Sequence, residues 1–184
     1  MVFSGVDKNL FKPLKWTYLT ETVEESPQFQ QTSGSWVITP QAFKPRHVYI
    51  GFMRANRKSN QERNPFIFDS CDLRSCQLEF GNRRYPDTQY DNSETARIYN
   101  DILGSQSSSF NKSNQLTPDL LQSCYPLYYF DLRYREEVID STSQKLIFSY
   151  TLAAAGQPYH IIAFTLSEAR AEIAREGRDL IVTR

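Results

Sequence analysis

The sequence predicts an all-β fold, an eight-stranded jelly-roll β-sandwich with one inserted α-helix. Three observations carry that expectation. Aromatic residues make up 14% of the 184-residue chain, and most are Phe and Tyr, whose flat side chains favour a pleated, half-buried surface. Short runs alternate polar and apolar residues with a period of two and are bounded by turn-forming residues. A clear helical stripe occurs only between Ser93 and Gly104.

Taken in order, WTYLTETVE (Trp16 to Glu24) sets Trp16, Tyr18 and Thr20 against Thr17, Leu19 and Glu21, the pattern of a half-buried strand. The domain division places an N-terminal arm at 1–15 and a single jelly-roll domain at 16–184. A polar turn at Ser26 and Pro27 leads to a second strand, SWVIT (Ser35 to Thr39). HVYIGFM (His47 to Met53) is apolar on both faces and belongs in a covered interior. CDLRSCQLEF (Cys71 to Phe80) puts Cys76, Leu78 and Phe80 on one face, and Gly81-Asn82 supplies the turn of a hairpin before Arg84-Tyr85-Pro86.

The helix follows, with Ser93 as its cap, Glu94 at the positive end of the dipole, Ile98, Tyr99 and Ile102 as its stripe and Gly104 as its stop. SQSSSFNKSNQ (Ser105 to Gln115) is too polar to bury, and Thr117-Pro118 opens a single turn through Leu121. Strands are expected at Pro126 to Arg133, Lys145 to Leu152 and Tyr159 to Ser167. In SEARAEIAREG the alanines and glutamates favour helix while Ala169, Ala171 and Ile173 alternate; strand is the reading taken, with a last short strand at Leu180 to Val182. Phe66, Phe68, Leu78, Phe80, Tyr129 and Phe130 are the expected core, knitting the sheets to the helix.

Charge excludes little but narrows the partners. Lys plus Arg equals Asp plus Glu at 21 each, so nothing draws the whole molecule to a polyanion, and specific nucleic-acid binding is not expected. Arg57, Lys58 and Arg63 in NRKSNQERN form a polar loop without interleaved aromatics, and Arg83 and Arg84 lie at the hairpin; both groups read as solvated. No apolar run approaches the ~20 residues that span a bilayer, and the opening MVFSGVDKNLFK lacks the pattern of a secretory leader. A chain that is neither membrane-bound nor secreted is the expectation.

The chemistry-bearing residues are sparse. Cys71, Cys76 and Cys124 are odd in number and without CxxC spacing, so buried free thiols are expected rather than a disulfide framework or a zinc site. Cys71 and Cys76, five apart on one strand, would project to opposite faces and could not bond to each other. His47 and His160 are far apart, each at a strand start, which disfavours a paired ligand role. Asp131, ringed by aromatics in YPLYYFDLR, is expected to bond backbone amides at a strand end or to pair with an arginine, because no partner for general acid or base work is evident. No GxSxG, HExxH or phosphate-loop glycine pattern occurs. The expectation is therefore no enzyme, no catalytic, cofactor-binding or metal-ligating residue, and no cofactor.

Three segments together resemble a specific family. NPFIF (Asn64 to Phe68), the strand and turn CDLRSCQLEFGNRRYP, and YPLYYFDLR are similar in order and spacing to the major capsid proteins of Maverick/Polinton elements and adintoviruses, including their animal-genome relatives. QKLIFSYTL and YHIIAFTLSEARAEI resemble that family's closing strands. The likeness runs from about Trp16 to Ile173 and covers the C-terminal jelly roll of the family's double jelly-roll fold. Ala55-Asn56-Arg57-Lys58 departs from the Ala-Phe-Asn-Gly-like stretch the family tends to carry after its third strand. The resemblance implies a structural capsid-type protein acting by self-association into a shell, a homo-oligomer with a trimer favoured, other capsid proteins as further partners, and location in a virion or the host cell interior. An arm carrying Val2, Phe3, Leu10 and Phe11 would reach a neighbour. The other reading is a host-adopted β-sandwich that binds a protein or glycan.

Overall fold

The computed structural model describes residues 14–38, 44–58, 64, 67–81, 83–91, 93–105, 116–133, 145–154, 156–176 and 179–183. Its strands are β1 (Leu14–Glu25), β2 (Ser33–Ile38), β3 (Pro45–Arg54), β4 (Leu73–Phe80), β5 (Arg83–Asp91), β6 (Leu127–Asp131), β7 (Leu146–Leu152), β8 (Tyr159–Glu176) and β9 (Asp179–Thr183). Three helices, α1 (Ala55–Lys58), α2 (Thr95–Ser105) and α3 (Pro118–Ser123), lie between them. One sheet runs β1-β8-β3-β6 with β9 added to β8, and the other runs β2-β7-β4-β5. All the pairings are antiparallel. Successive strands from β1 to β4 alternate between the sheets and are met in return by β8 to β5, which is the double wrapping of a jelly roll.

The two sheets meet through aromatic rings. Phe52 of β3 lies 6.0 Å from Phe148 and 5.8 Å from Tyr150 of β7, centroid to centroid, and Phe130 of β6 lies 6.0 Å from Phe148 and 5.6 Å from Tyr90 of β5. These contacts join one sheet to the other, so they define the inner faces. Around them Ile38, Val48, Ile50, Leu78, Leu146 and Ile161 are fully buried. Phe68, Leu78, Phe80, Tyr129 and Phe130 are buried as expected; Phe66 lies outside the described residues, as do Arg63, the arm at 1–13 and the polar stretch 106–115. β1 begins at Leu14, inside the stretch assigned to the arm.

Several expectations need correction. β4 starts at Leu73, because Cys71 and Asp72 take left-handed backbone angles, φ 47° and 51°, and form a turn. Cys71 and Cys76 therefore do not share a continuous strand, although all three thiols are free and both of these are buried. Ser93 does not cap α2: its N–H and hydroxyl both donate to Asp91 Oδ1, and the first turn closes on the Glu94 carbonyl. Gly104 does not stop that helix, which runs on to Ser105. Where helix and strand competed, the alternation of Ala169, Ala171 and Ile173 reports correctly, since β8 continues unbroken to Glu176.

Candidate functional site

β6 is an edge strand, and α2 covers it. The Tyr90 hydroxyl reaches across from β5 to lie 2.7 Å from both Asp101 Oδ2 of α2 and the Tyr129 carbonyl of β6. The Arg97 guanidinium stands 5.2 Å over the Tyr90 ring, and Ile98 and Ile102 are buried below. Tyr49 meets Ser105 at 3.1 Å, and Tyr99 donates to the Leu116 carbonyl at 3.0 Å, so the helix is tied at its last residue and at its middle. Burial, reinforced by the Asp101 carboxylate, pushes the Tyr90 hydroxyl far above the usual phenol range, which makes it a permanent donor.

On the outer face of the same sheet, register alone brings the polar residues together. His47 stands opposite Asp131 and Tyr49 opposite Tyr129, and residues directly opposite in an antiparallel pair share a face. His47 Nδ1 is 2.8 Å from the Tyr129 hydroxyl, and the Tyr49 and Tyr129 rings are 4.9 Å apart. Asp131 is held by Arg133 in a two-pronged contact, Nη2 to Oδ2 at 2.7 Å and Nε to Oδ1 at 3.1 Å, and it also accepts the Arg133 N–H at 2.9 Å. This is the expected arrangement, an arginine partner and a backbone amide at a strand end. Arg46 completes the cluster by donating from Nε to Glu168 Oε2 at 2.9 Å and from Nη1 to the Arg133 carbonyl at 3.1 Å.

The electrostatics follow from burial and these partners. Burial lowers the His47 pKa, with Arg133 adding to the effect and Asp131 opposing it, so the imidazole is held neutral. Desolvation pushes Asp131 up, but the Arg133 hydrogen bonds outweigh it and hold the carboxyl below its ordinary value. Glu168 is lowered chiefly by Arg46. Each charge is thus spent on a neighbour that already belongs to the fold. The cluster ties β3, β6 and β8 together at one end of the sheet.

His160 lies elsewhere, its Nδ1 3.1 Å from both the Ser26 carbonyl and Glu25 Oε1. The two histidines flank opposite ends of β3, His47 on it and His160 paired with Met53. Arg83 and Arg84 are exposed, Arg84 reaching Glu79 at 4.0 Å. A cleft of about 250 Å³ opens where α2 and α3 meet the start of β6, bordered by Thr95, Ile98, Leu121, Gln122, Pro126 and Tyr128. The described residues lining it carry no carboxylate, imidazole or thiol. Among the described residues no three His, Cys, Asp or Glu side chains are placed to share a metal ion, and no helix is long and apolar enough to cross a membrane.

Sequence reasoning missed the pairing of His47 with Tyr129, 82 residues away, and the close seat of the Phe68 ring on Gly51. A glycine inside the apolar run HVYIGFM was the available signal for the second. No protein-family model matches the chain, and no curated protein matches it.

Proposed function

We propose that this chain is a structural capsid-type jelly roll whose work is self-association into a shell. The observation that carries the proposal is where the resembling motifs fall. CDLRSCQLEFGNRRYP forms the turn, β4 and the start of β5, and YPLYYFDLR forms β6, so the motifs lie on either side of the inserted α2 in a jelly roll of order β1-β8-β3-β6 over β2-β7-β4-β5. The fold by itself leaves function open, since lectins and cupins share it.

Electron microscopy and sedimentation of the purified chain test this. Closed or sheet-like particles, or a discrete trimer or dimer of rolls whose population grows with concentration, are the expected result. A monomer that stays monomeric at high concentration and is captured by a defined glycan or protein would replace the proposal with the binding-module reading.

A further inference from the structure

We infer that β1 is a self-complementary docking edge that receives β1 of a second copy, antiparallel, with Thr20 of each copy at the two-fold axis. The inference names the contact for the self-association proposed above and rests on that reading. A sheet edge carries a row of backbone donors and acceptors that another strand can pair with, and proteins blunt such edges by shortness, proline, bulges or a covering element. The strands at the ends of the two sheets are β1, β6, β2 and β5. β6 has five residues and lies beneath α2, whose Asp101 and Arg97 hold Tyr90 across it. β2 has six residues and includes Gly34. β5 contains Pro86, and its register against β4 shifts between Cys76 and Leu78. β9, appended to β8, has five residues.

Among the described residues β1 lacks these four protections, no strand covering its free edge, and the charges it carries there are Lys15, Glu21, Glu24 and Glu25. Its 12 residues, about 40 Å of extended chain, pair with β8 without a register shift from Leu14↔Ile173 to Glu25↔Ile162, and LKWTYLTETVEE contains neither Gly nor Pro. Among the described residues its other edge meets no strand. It also exposes apolar side chains, with Leu19 52% and Val23 54% accessible, both on the face turned away from the second sheet.

The sequence of β1 specifies the register. Antiparallel pairing of two identical strands about an axis normal to the sheet keeps equivalent faces together only when opposed residue numbers sum to an even value. With Thr20 on the axis, Lys15 of each copy faces Glu25 of the other at both ends, Thr17 faces Val23, and Tyr18 faces Thr22. Leu19 then lies diagonally against both Leu19 and Val23 of the other copy, covering the two exposed side chains. Sliding to put Leu19 on the axis sets Lys15 against Val23 and removes both ion pairs. Sliding the other way sets Glu21 against Glu21, a like-charge pair at the centre. Lys15 already meets Glu172 at 3.2 Å and Glu25 meets His160 at 3.1 Å within one chain, so the second copy adds a carboxylate to an ammonium that is still 70% exposed.

Cysteine cross-linking in the full chain carrying Cys124→Ser tests the register. Under mild oxidation Thr20→Cys should give a dimer joined at that residue, as read by non-reducing electrophoresis and peptide mapping, whereas Thr22→Cys, which faces Tyr18, should give none. Val23→Lys should weaken the dimer roughly tenfold or more in sedimentation, because a lysine on an edge strand resists pairing, while thermal melting holds. Equal cross-linking at the two positions overturns the inference. So does a chain that oligomerises without the Thr20→Cys cross-link, an outcome that leaves self-association intact and places it on another surface. A wild-type monomer at every concentration would remove both.

Discussion

Phe130 is 1% exposed and wedged between Phe148 and Tyr90, so truncation leaves a cavity between sheets that cannot easily close. Phe130→Ala is expected to cost roughly 3 to 5 kcal/mol, measured by urea unfolding; melting like the wild type would remove Phe130 from the core. The thiols give a second residue-level test. Burial, with the Asp69 carboxylate adding to it, pushes Cys71 up to about 11, and burial alone raises Cys76 well above its ordinary value. Thiolate is the reactive form, so maleimide at pH 8 should label Cys124 in the native chain and reach Cys71 and Cys76 only on unfolding; rapid native labelling of either buried thiol would contradict this placement. Acid acts through His47 and Asp131, whose folded pKa values are both lowered. A lowered folded pKa means stability that is present above the unfolded value and lost as pH falls through the folded one. Stability should therefore decline first below about pH 6.5 through His47 and again below about pH 3.9 through Asp131. His47→Gln should flatten the first decline in the urea midpoint while leaving the second. The aromatic core was legible from the apolar strand runs, and so was an arginine or backbone-amide partner for Asp131, which the structure gives as Arg133. The His47 to Tyr129 contact was not, because it depends on the register of two strands distant in the chain.

At the scale of elements, β3 packs against the segment before β4 through a glycine. A Cβ on Gly51 would stand 2.5 Å from Cδ1 of the Phe68 ring, and Phe68 is itself locked edge-on against Phe164 at 6.1 Å. Gly51→Ala should destabilise by roughly 1 to 3 kcal/mol through overpacking. In a Phe68→Ala background that penalty should largely vanish, and a double-mutant cycle reads the coupling; independent, additive costs would show that the ring is not what the methyl meets. The short helix α3 behaves as its sequence promises, with Thr117 Oγ1 accepting from the Leu120 N–H at 3.3 Å and Pro118 at its first position. The cap of α2 was misread because the helix begins at Thr95, which puts Glu94 directly before it, while Ser93 turns its N–H and hydroxyl back to Asp91 Oδ1. An aspartate and a serine compete for the same local role, and spacing from the first helical residue does not decide between them. Cys71 was misread for a related reason: Asp72 is the only hint in CDLRSC of the left-handed pair Cys71 and Asp72, an aspartate tolerating that backbone where a glycine would have signalled it plainly.

For the whole molecule, the first strand pairs with the last long one, so β8 holds the fold together along a gradient. From Tyr159 to Ser167 it lies between β1 and β3 for most of its length, with Ile161, Ala163, Thr165 and Ser167 buried. Beyond Ser167 it loses β3 and continues with β1 on one side and, from Glu172, with β9. Local opening costs least where few buried contacts must break. Amide hydrogen exchange should therefore rank β8 from slowest near Ile161 to Thr165 to fastest near Arg175 and Glu176, despite a continuous ladder throughout. Equal protection along all eighteen residues would mean that the far half of β8 is buried as securely as the near half, and the gradient would fail. The same measurement connects the molecule to its assembly: with β1 paired to a second copy, the β1 amides should gain protection as concentration rises while those of β4 and β7, enclosed in the other sheet, stay constant. Protection of β1 that is independent of concentration would leave its edge unpaired in solution.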